Sequence, residues 1–348
     1  MSFTSQHALQ PYWDLAVAPV QADALAASLE LGIFEVLAAP HTPAQLAETL
    51  SLHAPHTALL LELLWSMQVL ERDVADDAGQ RYRCTATTVQ YFCRDSAAFC
   101  GDAWLYRLHA LRHFATQLST LVRDGGKAAP SPYNTANGVN WAAAAQQQIG
   151  QEQRAVTMRA ALSVMQRIAP FAAGSTPLNM LDLGGGPGWV AIALAQAHAG
   201  VRGCVFDWPE TVAVAAANIA HAGLSARLAT LGGDLESDAI GDGYDLIWCS
   251  SVLHFVPDAA AALRKMHAAL KPGGVLVCVQ AEIAPTPEDA ARVLPYYLPM
   301  RMLGRKVTRQ GELAQLLRAT GWEQVEQYRA ADFPMAPVQV LIARKGAA

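Results

Sequence analysis

The run MLDLGGGPGWVAIALA, Met180 to Ala195, constrains the chain more than any other stretch. An apolar segment ending in an acid, a glycine loop and a run of helix formers read as a buried strand, a tight turn and a helix. Such a unit belongs to α/β folds, where the loop lies against a ligand. A nicotinamide fingerprint needs G-x-G-x-x-G/A, and counting from Gly184 puts Trp189 at the third position, too large for close helix–strand contact. Without a G-K-[ST] ending, the loop is not a phosphate-cradling P-loop either. What remains is D-x-G-x-G-x-G, with Asp182, Gly184, Gly186 and Gly188. An acid at the end of the strand can accept from a ligand ammonium, while glycines let the backbone approach closely. The pattern suits a cationic amino-acid moiety.

The next strands extend this reading. RGCVFD ends at Asp207, 25 residues beyond Asp182, where a carboxylate can chelate two ribose hydroxyls. After the third strand comes LGGDLES, in which Asp234 suits an adenine amino group and Leu235 the face of the ring. Three acids on three successive strands thus address an amino acid, a ribose and a base. The ligand they imply is S-adenosylmethionine, with no metal.

Before Gly174-Ser-Thr-Pro177 the sequence is nearly all helical, and after it apolar strands alternate with helices, so the expected division is 1–174 and 175–348. In HTPAQLAETL, Thr42 is an N-cap, Pro43 the first helical residue and Gln45 the partner of a capping box. A second helix follows Pro55 with Leu59, Leu60, Leu63, Leu64 and Met67 on one face, and after the turn DDAGQ, RYRCTATT alternates like a strand. Two helices and a ribbon outline a winged helix, which raises the rival function of DNA binding. Charge decides against it: residues 1–100 hold four basic side chains against eleven acidic ones, and polyanion binding needs a basic face. The expected role is a packing and dimerisation surface.

The six cysteines form no C-x-x-C pair and read as reduced, packed thiols. No apolar run is long enough to span a bilayer, and MSFTSQHALQPYWD lacks the basic and apolar parts of a secretory leader, so the expected location is cytoplasmic.

The series LELGIFEVL, TPAQLAETL, MLDLGGGPG, VFDWPE, GGDLES, VLHFVPD and ALKPGGVLVCV, in that order, resembles the plant-type small-molecule O-methyltransferases, the caffeate, acetylserotonin and hydroxyneurosporene group with its bacterial natural-product branch. The resemblance spans nearly the whole chain. It implies a homodimer with a mainly helical, winged-helix-like N-terminal dimerisation domain. It also implies a Rossmann-like class I methyltransferase domain, whose seven-stranded sheet ends in an antiparallel hairpin, here WEQVEQYRA and PVQVLIARK. The donor site would take Asp182, Gly184, Gly186, Gly188, Asp207, Trp208, Gly233, Asp234, Leu235, Ser250 and Ser251.

The family's base is a histidine after the fourth strand, here His254 beyond YDLIWCSS, which would deprotonate an acceptor hydroxyl. This chain departs from the family where that histidine finds its carboxylate partners: Phe255 replaces an Asp, Gln280 a Glu, and Lys306 a second Glu, leaving Glu282 and Glu312 as acids that could take their place. Met158 matches the family's pocket methionine and shares a helical face with Met165; Trp104, His109, Trp141, Tyr296 and Met300 are further candidates. A Met- and aromatic-lined pocket suits a small, flat, aromatic or heteroaromatic secondary metabolite. The alternatives are methylation at nitrogen or carbon by alignment alone, or a non-methylating reaction such as hydroxylation, decarboxylation or a pericyclic step on the same donor-binding fold.

Overall fold

Alternate residues of the central strands face two separate cores, and this governs the architecture of the C-terminal part. The computed structural model describes residues 7–73, 79–129, 140–172, 177–330, 333 and 336–347. It forms two compact units, Met1–Leu108 and His109–Ala348. The joint at 174–176 lies outside the described residues, as do 76–78 of the DDAGQ turn. The division falls earlier than the change of sequence pattern because Ala161, Val164, Met165, Ile168 and Phe171 pack into the same core as the sheet.

In the first unit, Thr42 and Gln45 exchange the two bonds of a capping box at the start of the helix Pro43–Leu50. The helix Ala54–Ser66 buries Thr57, Leu61 and Leu64, whereas Leu59 is 63% exposed. The buried face is therefore rotated from the expected one, because Leu61 and Leu64 complete a core with Leu29, Ile33, Phe34, Leu37 and Leu46. β1 (Leu70–Arg72) and β2 (Tyr82–Cys84) form an antiparallel ribbon. The expected longer strand stops at Cys84, since Thr85 accepts from the Thr88 N–H and caps the helix Ala86–Phe92. Local capping overrides the alternation there.

The second unit is built on seven strands: β3 (Leu178–Leu183), β4 (Val201–Asp207), β5 (Leu228–Gly232), β6 (Tyr244–Ser250), β7 (Leu270–Gln280), β8 (Glu323–Ala330) and β9 (Val338–Arg344). Their order is β5-β4-β3-β6-β7-β9-β8, parallel from β5 to β7, with β9 and β8 antiparallel at the end. Leu246 and Trp248 join the core under the helices Met158–Met165 and Trp189–Ala197, while Ile247 and Cys249 join the core under Ala259–Ala269 and Glu312–Ala319. This two-sided burial explains why the parallel strands read as continuous apolar runs. β3 lies between β4 and β6, so the chain order reverses there and opens a crevice at the carboxyl ends. All six cysteines are free thiols, four of them buried, and no described helix is long and apolar enough to cross a membrane.

Candidate active site at the carboxyl edge of the sheet

The glycine loop leaves β3 in a conformation that side chains resist. Gly184 and Gly186 have φ of 66° and 58°, and a Cβ on Gly184 would collide with Val252 in the loop after β6. β3 and β6 are paired in parallel up to Leu183 and Cys249, so the loops after both strands leave side by side. The loop is held from three sides. Gly184 N–H donates to the Phe206 carbonyl at 2.7 Å, Gly186 N–H to Asp207 Oδ2 at 2.8 Å, and Asn218 Nδ2 to the Pro187 carbonyl at 2.9 Å. Gln153, from a turn of π-helix (Gln153–Thr157), donates to the Gly185 carbonyl at 3.1 Å and accepts from the Trp189 N–H at 3.1 Å. Nothing in the sequence marks Gln153 for this clip, because its partners are backbone atoms more than 30 residues away.

The three acids take different positions. Asp182 is 1% exposed; its Oδ2 accepts from the Ala191 N–H at 3.3 Å, and burial pushes its carboxyl up to about 7, the neighbouring Asp207 adding to the rise. It braces strand, loop and helix from beneath. Asp207 ends β4, half-buried, each of its oxygens accepting one backbone N–H, from Gly186 and Trp208 at 2.8 Å. Burial raises its pKa and those two bonds oppose the rise. A carboxylate oxygen accepts two bonds, so both keep capacity for a hydroxyl. Asp234 accepts from the Glu236 N–H at 2.9 Å, within a loop that Lys265 staples by donating to the carbonyls of Leu235, Glu236 and Asp238.

Leu235 packs into the core, while Trp208, 41% exposed, and Leu231, 36% exposed, leave apolar surface at the ends of β4 and β5. Gly233 donates to the Asp207 carbonyl at 3.0 Å, tying these two strand ends together. These groups fit S-adenosylmethionine: a carboxylate with free lone pairs, beside exposed aromatic surface and a glycine loop in which only Pro187 carries a side chain.

Ser250 ends β6, and Ser251, at φ 57°, turns the chain so that Val252, Leu253 and His254 fold back over the sheet end. His254 is buried among aromatic rings: Phe255 at 4.2 Å and Tyr297 edge-on at 5.5 Å, with Trp141 edge-on to Phe255 at 5.1 Å and Tyr296 at 5.1 Å from Tyr297. The Arg305 guanidinium lies 4.9 Å from the Phe255 ring and donates to the Phe255 carbonyl at 3.2 Å. Burial, with Arg305 adding to it, pushes the imidazole down to about 4.

Trp141, Tyr296 and His254 are thus brought together, and Met300 packs in the adjoining cluster around Tyr297. Met158 is half-buried, while Met165 is core. Trp104 packs against the core of the first unit, edge-on to Phe92, and His109 is half-buried at the start of the second. Neither acid left to partner His254 does so. Glu282 accepts from the Gly311 and Leu313 N–H groups and from Gln327, and Glu312 accepts from the Arg309 N–H. Lys306 is exposed.

Comparison with known proteins agrees with this arrangement. Residues 115–323 match the O-methyltransferase domain and residues 13–92 the O-methyltransferase dimerisation domain. The N,N-dimethyltransferase OxyT of Streptomyces rimosus is 28% identical over 270 residues, 76% of this chain and 75% of that protein. The 3-hydroxy-5-methyl-1-naphthoate 3-O-methyltransferase of Streptomyces sahachiroi is 27% identical over 335 residues, 91% of this chain and 90% of that protein. Among solved structures, human N-acetylserotonin methyltransferase in complex with SAM superposes with a TM-score of 0.71 at 23% identity, covering 100% of both chains, a likeness of fold.

Proposed function

Since the chain belongs to the O-methyltransferase family and is an S-adenosylmethionine-dependent methyltransferase, we propose that it methylates an oxygen of a small, flat, aromatic or heteroaromatic secondary metabolite, bound against His254, Phe255, Trp141 and Tyr297. The observation that carries this reading is that aromatic cluster, set at the carboxyl end of β6 beside the glycine loop. Rings packed around a neutral imidazole favour a flat apolar acceptor with one polar atom facing the histidine.

In this reading Asp207 holds the donor's ribose hydroxyls. Gly184, Gly186 and Gly188 admit its amino-acid part, Trp208 and Asp234 meet its base, and Ser250 and Ser251 line the wall beneath it. Bound there, the donor supplies an activated methyl group on a positively charged sulfur. The protein's part is alignment and exclusion of water. Removal of the acceptor's proton, the task expected of His254, falls to whichever ring nitrogen lacks a proton and so depends on the tautomer.

Methylation at nitrogen is a second reading, favoured by the amide of Gln280, in place of a carboxylate, at His254. The two are separated by mass spectrometry and NMR of the product from hydroxylated and aminated acceptors of one ring system. Methyl ethers are expected; N-methyl products alone would replace the first reading with the second, and no methylated product would remove both.

A further inference from the structure

We infer that Gln280 holds His254 in its Nε2–H tautomer, so that His254 meets the acceptor as a hydrogen-bond donor and the acceptor oxygen arrives already ionised, as the oxyanion of an acidic phenol or enol. The acceptor part rests on the methyl-transfer reading above, and the tautomer part does not.

One end of the Gln280 side-chain amide is 2.9 Å from the backbone nitrogen of Val252 and 2.9 Å from that of Leu253. The other end is 3.3 Å from His254 Nδ1. Two N–H donors converge on the first end, and only the amide oxygen can accept them, so the NH2 faces the ring. Nδ1 must then present its lone pair, and the single proton of the neutral imidazole sits on Nε2. Burial and the Arg305 charge keep the ring neutral at physiological pH. The groups facing it are Gln280 from β7, Tyr297 from the helix Leu294–Met302, Phe255 from its own loop and Arg305; among the described residues no carboxylate bonds to it. Nε2 has no partner among those residues and is the nitrogen left for a ligand.

An Nε2–H group can donate but has no lone pair with which to take a proton. A weakly acidic hydroxyl in this site would keep its hydrogen and stay a poor nucleophile. An oxyanion accepts from Nε2–H, is favoured by the Arg305 cation, and retains lone pairs to attack. In the transfer an oxygen pair forms the O–CH3 bond while the S–CH3 pair stays on sulfur. The positive sulfur and the negative oxygen both become neutral, and no proton passes to His254. Gln280 is in this account a positioning residue that sets which acceptors react.

The test has a spectroscopic arm and a kinetic arm. In protein labelled with 15N-histidine, with His254→Gln used to assign the signal, wild type is expected to show a protonated Nε2 and an unprotonated Nδ1. A protonated Nδ1 would overturn the inference. Gln280→Glu keeps one oxygen on the Val252 and Leu253 N–H groups and turns the other to Nδ1, and is expected to move the proton to Nδ1.

With naphthols graded in acidity by nitro and halogen substituents, the wild-type rate is expected to follow the ionised fraction as pH rises. Gln280→Glu should gain about 10²-fold on the least acidic naphthol, the lower end of what a positioned base contributes. Equal wild-type rates on the most and least acidic naphthols at neutral pH would overturn the acceptor part. No methylated product from any of them would remove the methyl-transfer reading and the acceptor part together, while the 15N spectrum would still decide the tautomer.

Discussion

Asp207 and Asp182 show how two neighbouring carboxylates, on adjacent strands, come to do different work. Asp207 is open enough to meet a ligand, and Asp207→Ala removes an acceptor for two hydroxyls. With each hydrogen bond to a charged group contributing about 1.5–3 kcal/mol, affinity for S-adenosylmethionine and its demethylated product should fall by about 10²-fold or more in calorimetry. Unchanged affinity would contradict the placement of the donor. Asp182 is closed to solvent, with its pKa raised from 3.8 to about 7, so between those values the folded protein holds a proton that the unfolded chain has released. The stability this group contributes is complete at acid pH below the unfolded value and is lost as pH rises through about 7. Asp182→Asn keeps an oxygen for the Ala191 N–H and has no proton to lose. Between pH values of about 5 and 8, wild-type urea midpoints should therefore fall more steeply than those of the variant. Parallel curves would contradict this reading of Asp182.

The loop between β3 and the helix Trp189–Ala197 joins the two halves of the site, because Gly184 is in contact with Val252. Gly184→Ala combines a left-handed φ with an overpacked contact and should destabilise the protein by about 1–3 kcal/mol, with loss of donor binding. Val252→Ala in the same chain should recover part of the stability, leaving the backbone cost; a double-mutant cycle with no coupling would contradict the contact. Legibility in the sequence follows from the range of the interaction. The capping box of Thr42 and Gln45, the apolar runs of β3 and β6, and the acid closing β4 are local patterns and were readable as such. The helix Ala86–Phe92, the rotated face of Ala54–Ser66 and the burial of Met165 depend on which surface each segment meets in the folded unit. Gln153 on the glycine loop and the Gln280 amide against Val252, Leu253 and His254 are pairings across the fold, which no spacing encodes. Sequence could mark Gln280 as an odd residue in the place of a carboxylate, but the direction of its amide came only with the loop after β6.

At the scale of the molecule, residues 13–92 match a dimerisation domain, and the helix Gln10–Glu30 leaves Tyr12, Trp13, Leu15 and Val20 at least 60% exposed in the protomer. Exposed apolar side chains of this kind on a single chain call for a partner surface, and a second copy is the expected one. Light scattering should give a dimer at micromolar concentration, and Trp13→Glu with Leu15→Glu should give a monomer; a monomeric wild type would contradict this. The account as a whole holds that a methyl group passes from a donor fixed at Asp207 to an oxygen facing His254. The most direct check supplies donor carrying a trideuteromethyl group together with the graded naphthols, and follows both by mass spectrometry. The expected result is a naphthyl ether bearing all three deuteriums, formed in step with loss of donor and much slower, at donor concentrations that do not saturate, with Asp207→Ala. An acceptor consumed while the donor stays intact, or a product without the label, would contradict it.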